Sequence, residues 1–182
     1  MKIDSIKTDA GYCTMPERDL PVIHEVDLIV AGATLGGISA ALKAAGMGAR
    51  VFVIGYMPYM GEDICGTYKY LFEEQNGDHP LVKKLFPGEE ERTPFHIKKV
   101  LENELIDNHI DFLYSSFVTE VLFDDRSEPS GVAITNRSGQ QIIRGKVIID
   151  ATPEAYVARL AGASFYEEKS GEPSQFQFIT VG

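Results

Sequence analysis

Hydrophobic positions in the first third of the chain change their spacing twice. Leu28-Ile-Val-Ala31 is a continuous apolar run that ends at Gly32. The segment Gly32-Ala-Thr-Leu-Gly36-Gly37 follows, and Ile38, Ala41, Leu42 and Ala45 then recur at helical intervals. After Met47-Gly48 the chain turns apolar again at Arg50-Val-Phe-Val-Ile54. Short apolar runs bounded by glycine read as buried strands, and the 3.6-residue period reads as an amphipathic helix. The pattern predicts strand, glycine turn, helix and strand over residues 26 to 55, a β-α-β unit of about thirty residues.

Later segments are shorter. Thr93-Pro94 has the form of a cap followed by proline in a first turn, so a helix is expected over about 94 to 108, with Ile97, Val100, Leu101 and Leu105 inward. Asp111-Phe-Leu-Tyr114, Phe117-Val-Thr-Glu-Val-Leu-Phe123, Val132-Ala-Ile-Thr135, Gln141-Ile-Ile-Arg144 and Lys146-Val-Ile-Ile-Asp150 read as strands separated by turn signals. They predict a small antiparallel meander and then a separate return strand to the main sheet. A helix over about 153 to 161 and a strand at 176–181 complete the expectation. Residues 1 to 25, with Pro16 and Pro21, read as an extended polar arm, and 26–182 as one domain. The expected class is α/β, a Rossmann-like three-layer domain with an antiparallel meander.

The glycine turn carries the candidate chemistry. Gly32 allows a sharp exit from the strand, and Gly36 and Gly37 let the helix start close to it. The first N–H groups of that helix have no partner within it, and the helix dipole adds partial positive charge, which suits a diphosphate. Thr34 stands where a middle glycine is usual, and its hydroxyl offers a hydrogen bond to a phosphate oxygen while its branched Cβ restricts close approach. A turn that binds nothing is the plainer reading, and the complete β-α-β context favours nucleotide binding over it.

Composition narrows the partners. The 182 residues carry a net charge of −10 and 24% charged residues, which argues against nucleic acid or an anionic membrane surface. No apolar run is long enough to span a bilayer. Cys13 and Cys65 make no disulfide framework, and a cytoplasmic location is the expectation. The four histidines, His24, His79, His96 and His109, are scattered, so no metal site is expected.

Several segments together resemble one family. Arg18 to Asp27 leads into Gly32, Thr34, Gly36 and Gly37; Gly61-Glu-Asp-Ile-Cys-Gly-Thr-Tyr68 follows the second strand; Thr93 to Lys99 and Val147-Ile-Ile-Asp-Ala-Thr-Pro153 come later. These resemble FAD-dependent oxidoreductases of the glutathione-reductase-like superfamily, in particular a bacterial subgroup with a Gly-x-Thr-x-Gly-Gly fingerprint, some of whose members are loosely labelled xanthan lyase. The likeness runs from about residue 18 onward. It implies an FAD-binding domain whose pyrophosphate contacts fall on Gly32, Ala33, Thr34, Gly36 and Gly37. It also implies adenine contact at the Val118 backbone, nucleotide contact at Ala151 and Thr152, and proximity of Glu62, Asp63, Ile64 and Cys65 to the flavin ring.

Two features depart from that family. Gly55 stands where an acid normally ends the second strand and binds the ribose, and Glu62 is the residue that would have to reach back to replace it. Family members are also several times longer, so the domain is expected to be incomplete and to be finished by a second polypeptide or by a missing C-terminal half. The resemblance implies hydride transfer from a small polar substrate to the flavin. Glu62 and Asp63 are general-base candidates, or else polar residues at a helix start. Cys65 is a flavin-tether or redox candidate, or else a small buried hydrophobe. Tyr56, Tyr59 and Tyr68 are either pocket or core residues. His96 reads as structural, and Lys98 and Lys99 as a solvated face. An NAD(P)-binding protein and a non-catalytic remnant of the fold are the alternatives.

Overall fold

In the computed structural model, residues 18–67, 80–87 and 93–166 are described. The expected arm up to residue 17, the segment containing Tyr68, and the strand at 176–181 lie outside these residues.

Strand β1, Val22–Ala31, is flanked by β2, Val51–Ile54, and by β6, Gly139–Asp150. β3, Asp111–Leu113, pairs in parallel with β2, while β4, Phe117–Phe123, and β5, Pro129–Asn136, form an antiparallel meander with β6. The sheet order is β3-β2-β1-β6-β5-β4. Because β1 has parallel neighbours on both sides, β2 on one and the later β6 on the other, its carboxyl end is the crevice where ligands bind in open α/β sheets.

Alternation along the central strands sorts two cores. Leu28, Val30, Val51 and Val53 face helix α1, Leu35–Gly46, and helix α4, Pro94–Asp107, where Ile38, Ala41, Ile97, Leu101 and Leu105 are buried. Ile29, Ala31, Phe52 and Ile54 face the opposite way. They pack with Val118, Val132, Ile134 and Ile143 of the meander and with Val157 of α5, Tyr156–Leu160. Helices, parallel sheet and meander are thus the three layers. Each fully buried Leu or Ile contributes about 1.5–3 kcal/mol through removal of apolar surface from water. Thr93 caps α4 by accepting from the His96 N–H, and Pro94 opens the helix. Two short helices, α2 over Glu62–Cys65 and α3 over Pro80–Leu85, cover the side of α4.

Two expectations change. The extended arm does not reach residue 25, because β1 begins at Val22 and pairs with β6 from Ile142 onward. The meander strand and the return strand, expected as separate, are one continuous strand, β6. Arg144 and Lys146 pair across the strands with Glu25 (3.3 Å) and Asp27 (2.6 Å). Lys146 and the Arg50 backbone N–H hold the Asp27 carboxyl down at about 2. Gly145 lies between them against Ile29, whose Cγ1 would be 2.7 Å from an added Cβ.

Candidate functional site

The turn after β1 is built by close approaches. Gly32 has φ +107°, and a Cβ there would lie 2.6 Å from the Ala151 carbonyl carbon and oxygen. A Cβ on Gly37 would lie 2.3 Å from the Gly32 carbonyl oxygen. Both positions therefore exclude side chains on packing grounds. Gly36 differs, since the sole neighbour of an added Cβ would be Thr34 Oγ1 at 3.9 Å. It faces open space in front of the helix.

Thr34 does not offer its hydroxyl outward. It is 6% exposed, donates to the Ala151 carbonyl (3.1 Å) and accepts from the Gly37 N–H (3.0 Å). Thr34 is thus the N-cap of α1 and ties the turn to the end of β6, and the phosphate hydrogen bond anticipated for it has no donor left. Thr152 is similarly engaged: its hydroxyl donates to Asp150 (2.6 Å) and accepts from the Tyr156 N–H (2.8 Å). The other Asp150 oxygen accepts from the Ala158 N–H (2.8 Å). Asp150, not singled out from the sequence, thereby shapes the β6–α5 turn. The acid just before Ala151-Thr152 was the available signal.

A cavity of about 350 Å³ opens at the carboxyl ends of β1 and β2. Gly32, Val118 and Thr152 of the expected set line it, together with Tyr56, Phe117, Glu154 and Tyr156. Tyr56 was foreseen as a pocket or core residue, whereas Phe117, Glu154 and Tyr156 were not. Their role depends on β4 and α5 converging over the sheet, which no local pattern encodes. Ala33 and Ala151 of the expected set do not line the cavity, and Gly55 follows the end of β2, with its N–H donating to Leu113 O at 2.9 Å.

Glu62 and Asp63 sit in the first turn of α2, which is fastened beneath the glycine turn. The Gly61 N–H donates to the Ala33 carbonyl at 2.8 Å. Asp63 Oδ1 accepts from the Leu35 N–H at 3.0 Å. Glu62 is 3% exposed, and neither carboxyl oxygen has a hydrogen-bond partner among the described residues. Burial pushes its pKa up to about 7; the nearby amides of Met57, Ala33 and Tyr56 oppose that rise and the Asp63 charge adds to it. Because its oxygens are sealed from solvent, Glu62 does not present them to the cavity in place of the acid missing at Gly55. Tyr56 is raised by burial first, then by the charge of Glu62.

Cys65 is buried, its Sγ 3.6 Å from the Pro94 carbonyl, and burial pushes its thiol up, away from the thiolate needed for a tether or redox role. Lys98 is not merely solvated: its Nζ stands 3.6 Å over the Tyr59 ring. His96 Nε2 meets the Lys84 carbonyl at 3.0 Å. Among the described residues no cluster of His, Cys, Asp and Glu has the form of a metal site, and no helix is long and apolar enough to cross a membrane.

The turn, the cavity and the helix end suit an adenine dinucleotide. The mostly apolar cavity has room for an adenosine-sized group, and the helix end at Gly36, where an added Cβ would meet little, has the polarity that favours a diphosphate. Similar folds occur among solved structures. A geranylgeranyl bacteriochlorophyll reductase-like protein from Thermoplasma acidophilum is 19% identical with a TM-score of 0.54, over 76% of this chain and 42% of that one. THI4 from Thermovibrio ammonificans is 14% identical with a TM-score of 0.58, over 75% and 61%. L-proline dehydrogenase from P. horikoshii is 19% identical with a TM-score of 0.52, over 78% and 25%. The chain thus spans less than two thirds of the length of each of these structures. No curated protein matches its sequence. The model of the family described as FAD dependent oxidoreductase matches residues 27–181, and the chain belongs to the FAD dependent oxidoreductases.

Proposed function

We propose that this chain is the FAD-binding part of a larger oxidoreductase that takes a hydride from a small polar substrate. The observation that carries this reading is the cavity at the end of β1, bounded by Gly32 on one side and Val118 and Thr152 on the other, beside the open amide end of α1 at Gly36. FAD supplies the electron-accepting ring; the chain's own residues bind and orient it. Gly32, Ala33, Gly36 and Gly37 form the phosphate turn, Val118 borders the adenine, and Thr152, next to Ala151, lines the cavity. Thr34 acts through the turn it caps. Glu62, Asp63 and Cys65 belong to the segment next to the flavin ring, with no catalytic role assigned to them.

Completion by a second polypeptide or a further segment, a cytoplasmic location and membership of the Gly-x-Thr-x-Gly-Gly subgroup belong to the same reading. The exposed Phe117 and Phe123 on edge strand β4 favour completion, since an uncovered apolar edge invites pairing. A second reading, a fold that no longer holds its cofactor, is favoured by the absent acid at Gly55 and by the carboxylate of Asp63 on the α1 amide. The visible absorption spectrum of the purified protein, before and after denaturation and after mixing with FAD, separates them. Flavin bands support the first reading. A protein that stays colourless with added FAD and with any co-purifying partner supports the second.

A further inference from the structure

The N-terminal turn of α1 is largely occupied from within. The Gly37 N–H goes to the Thr34 hydroxyl, the Ile38 N–H to the Thr34 carbonyl at 2.9 Å, and the Leu35 N–H to Asp63 Oδ1 at 3.0 Å. Among the described residues, the Gly36 N–H is left for a ligand. Asp63 is not a passing surface contact, because α2 is anchored to the turn by both the Gly61 and Glu62 N–H groups on the Ala33 carbonyl, at 2.8 and 3.4 Å. A second carboxyl, that of Glu62, lies under the same turn, almost fully buried and without a hydrogen-bond partner. Among the described residues, no lysine or arginine lines the adjoining cavity. A cation acting on this segment is Lys98, which stacks on Tyr59 and whose charge is felt at Cys65.

We propose that Asp63 is an internal competitor for the cofactor's diphosphate, holding the Leu35 N–H that the phosphate would otherwise take and so setting how strongly this chain prefers a phosphorylated ligand over the bare nucleoside. The inference rests on the FAD reading above. A helix N-terminus attracts anions through its free N–H groups and dipole. Asp63 already satisfies one of those groups and neutralises part of the dipole. A diphosphate therefore meets a helix end with one amide fewer and a like charge beside it. Seating it requires the Asp63 carboxylate to leave the Leu35 N–H. The adenosine end of the cavity, lined by Ile54, Val118 and Tyr156, carries none of this conflict.

The test compares three probes, adenosine, ADP and FAD, by titration calorimetry on the wild-type chain and on Asp63→Asn. The amide oxygen still accepts the Leu35 N–H, so the turn is kept while the charge goes. The expected result is ADP and FAD binding tighter by on the order of tenfold in the variant, with adenosine unchanged and the gain shrinking as salt is raised. Asp63→Ser, whose shorter side chain releases the Leu35 N–H as well as the charge, gives the same direction with the larger gain and guards against a folding defect peculiar to one variant. An unchanged ratio of ADP to adenosine affinity would overturn the inference alone, as would weaker ADP binding in both variants. If neither adenosine nor FAD binds either protein, the cofactor reading falls and takes this inference with it.

Discussion

The Thr34 hydroxyl donates to the Ala151 carbonyl at 3.1 Å while accepting from the Gly37 N–H at 3.0 Å. One side chain therefore caps α1 and joins the glycine turn to the end of β6, two segments more than a hundred residues apart. Thr34→Val keeps the shape and deletes both bonds. It should lower stability by about 1–2 kcal/mol, as loss of an N-cap does, and Thr34→Ser should restore most of it. Urea denaturation of the three proteins checks this, and a valine variant as stable as wild type would show the cap to be dispensable.

Gly36 and Gly37 are neighbours with opposite surroundings. A Cβ on Gly37 meets the Gly32 carbonyl at 2.3 Å, whereas one on Gly36 meets open space. Gly37→Ala should therefore damage the turn itself, lowering both thermal stability and flavin retention. Gly36→Asp should leave the melting temperature nearly unchanged and abolish FAD binding through charge. Normal FAD affinity in folded Gly36→Asp would remove the α1 end from the cofactor site.

Asp150 accepts from the Thr152 N–H (3.0 Å) and hydroxyl (2.6 Å) with one oxygen and from the Ala158 N–H (2.8 Å) with the other. An asparagine has one acceptor oxygen, so Asp150→Asn must leave one side of this arrangement unpaired. The expected cost is about 1–3 kcal/mol. Loosening of the Thr152–Glu154 rim should also weaken FAD binding. Equilibrium unfolding and a flavin titration on the same preparation would reveal either effect; neither appearing would mean the turn is held by its backbone alone.

Burial raises the Glu62 carboxyl from 4.5 to about 7. Between those values the unfolded chain releases the proton while the folded chain keeps it. The contribution of this group is thus fully present below pH 4.5 and is lost as pH rises towards 7, by up to about 3 kcal/mol. Other carboxyls titrate in the opposite sense, Asp27 among them, so the informative quantity is the difference between wild type and Glu62→Gln. That difference should shift in favour of the variant between pH 5 and 7. A difference independent of pH would mean that Glu62 ionises normally.

Much of the fold was legible from local pattern. The β-α-β unit, the cap and proline of α4, and the inward Ile97, Leu101 and Leu105 follow from periodicity and end signals, which act over a few residues. β6 reads locally as two strand segments, residues 141–144 and 146–150, and is one strand because Arg144 and Lys146 meet Glu25 and Asp27 on β1. The start of β1 was misplaced for the same reason: residues 22–25 are polar enough to read as coil, and they are strand because β6 pairs with them.

At the site the division falls along similar lines. The residue types at Gly32 and Gly37 were readable as a tight turn that needs missing Cβ atoms, and the nucleotide reading came from the β-α-β pattern around them. What each hydroxyl and carboxyl does there was decided by tertiary contacts. Thr34 faces inward because Ala151 arrives beside it, Glu62 is sealed because α2 folds beneath the turn, and Asp63 reaches the Leu35 N–H for the same reason. Hydrogen-bond partners and desolvation depend on segments distant in sequence converging to a few ångströms, and periodicity along one segment carries no record of that convergence.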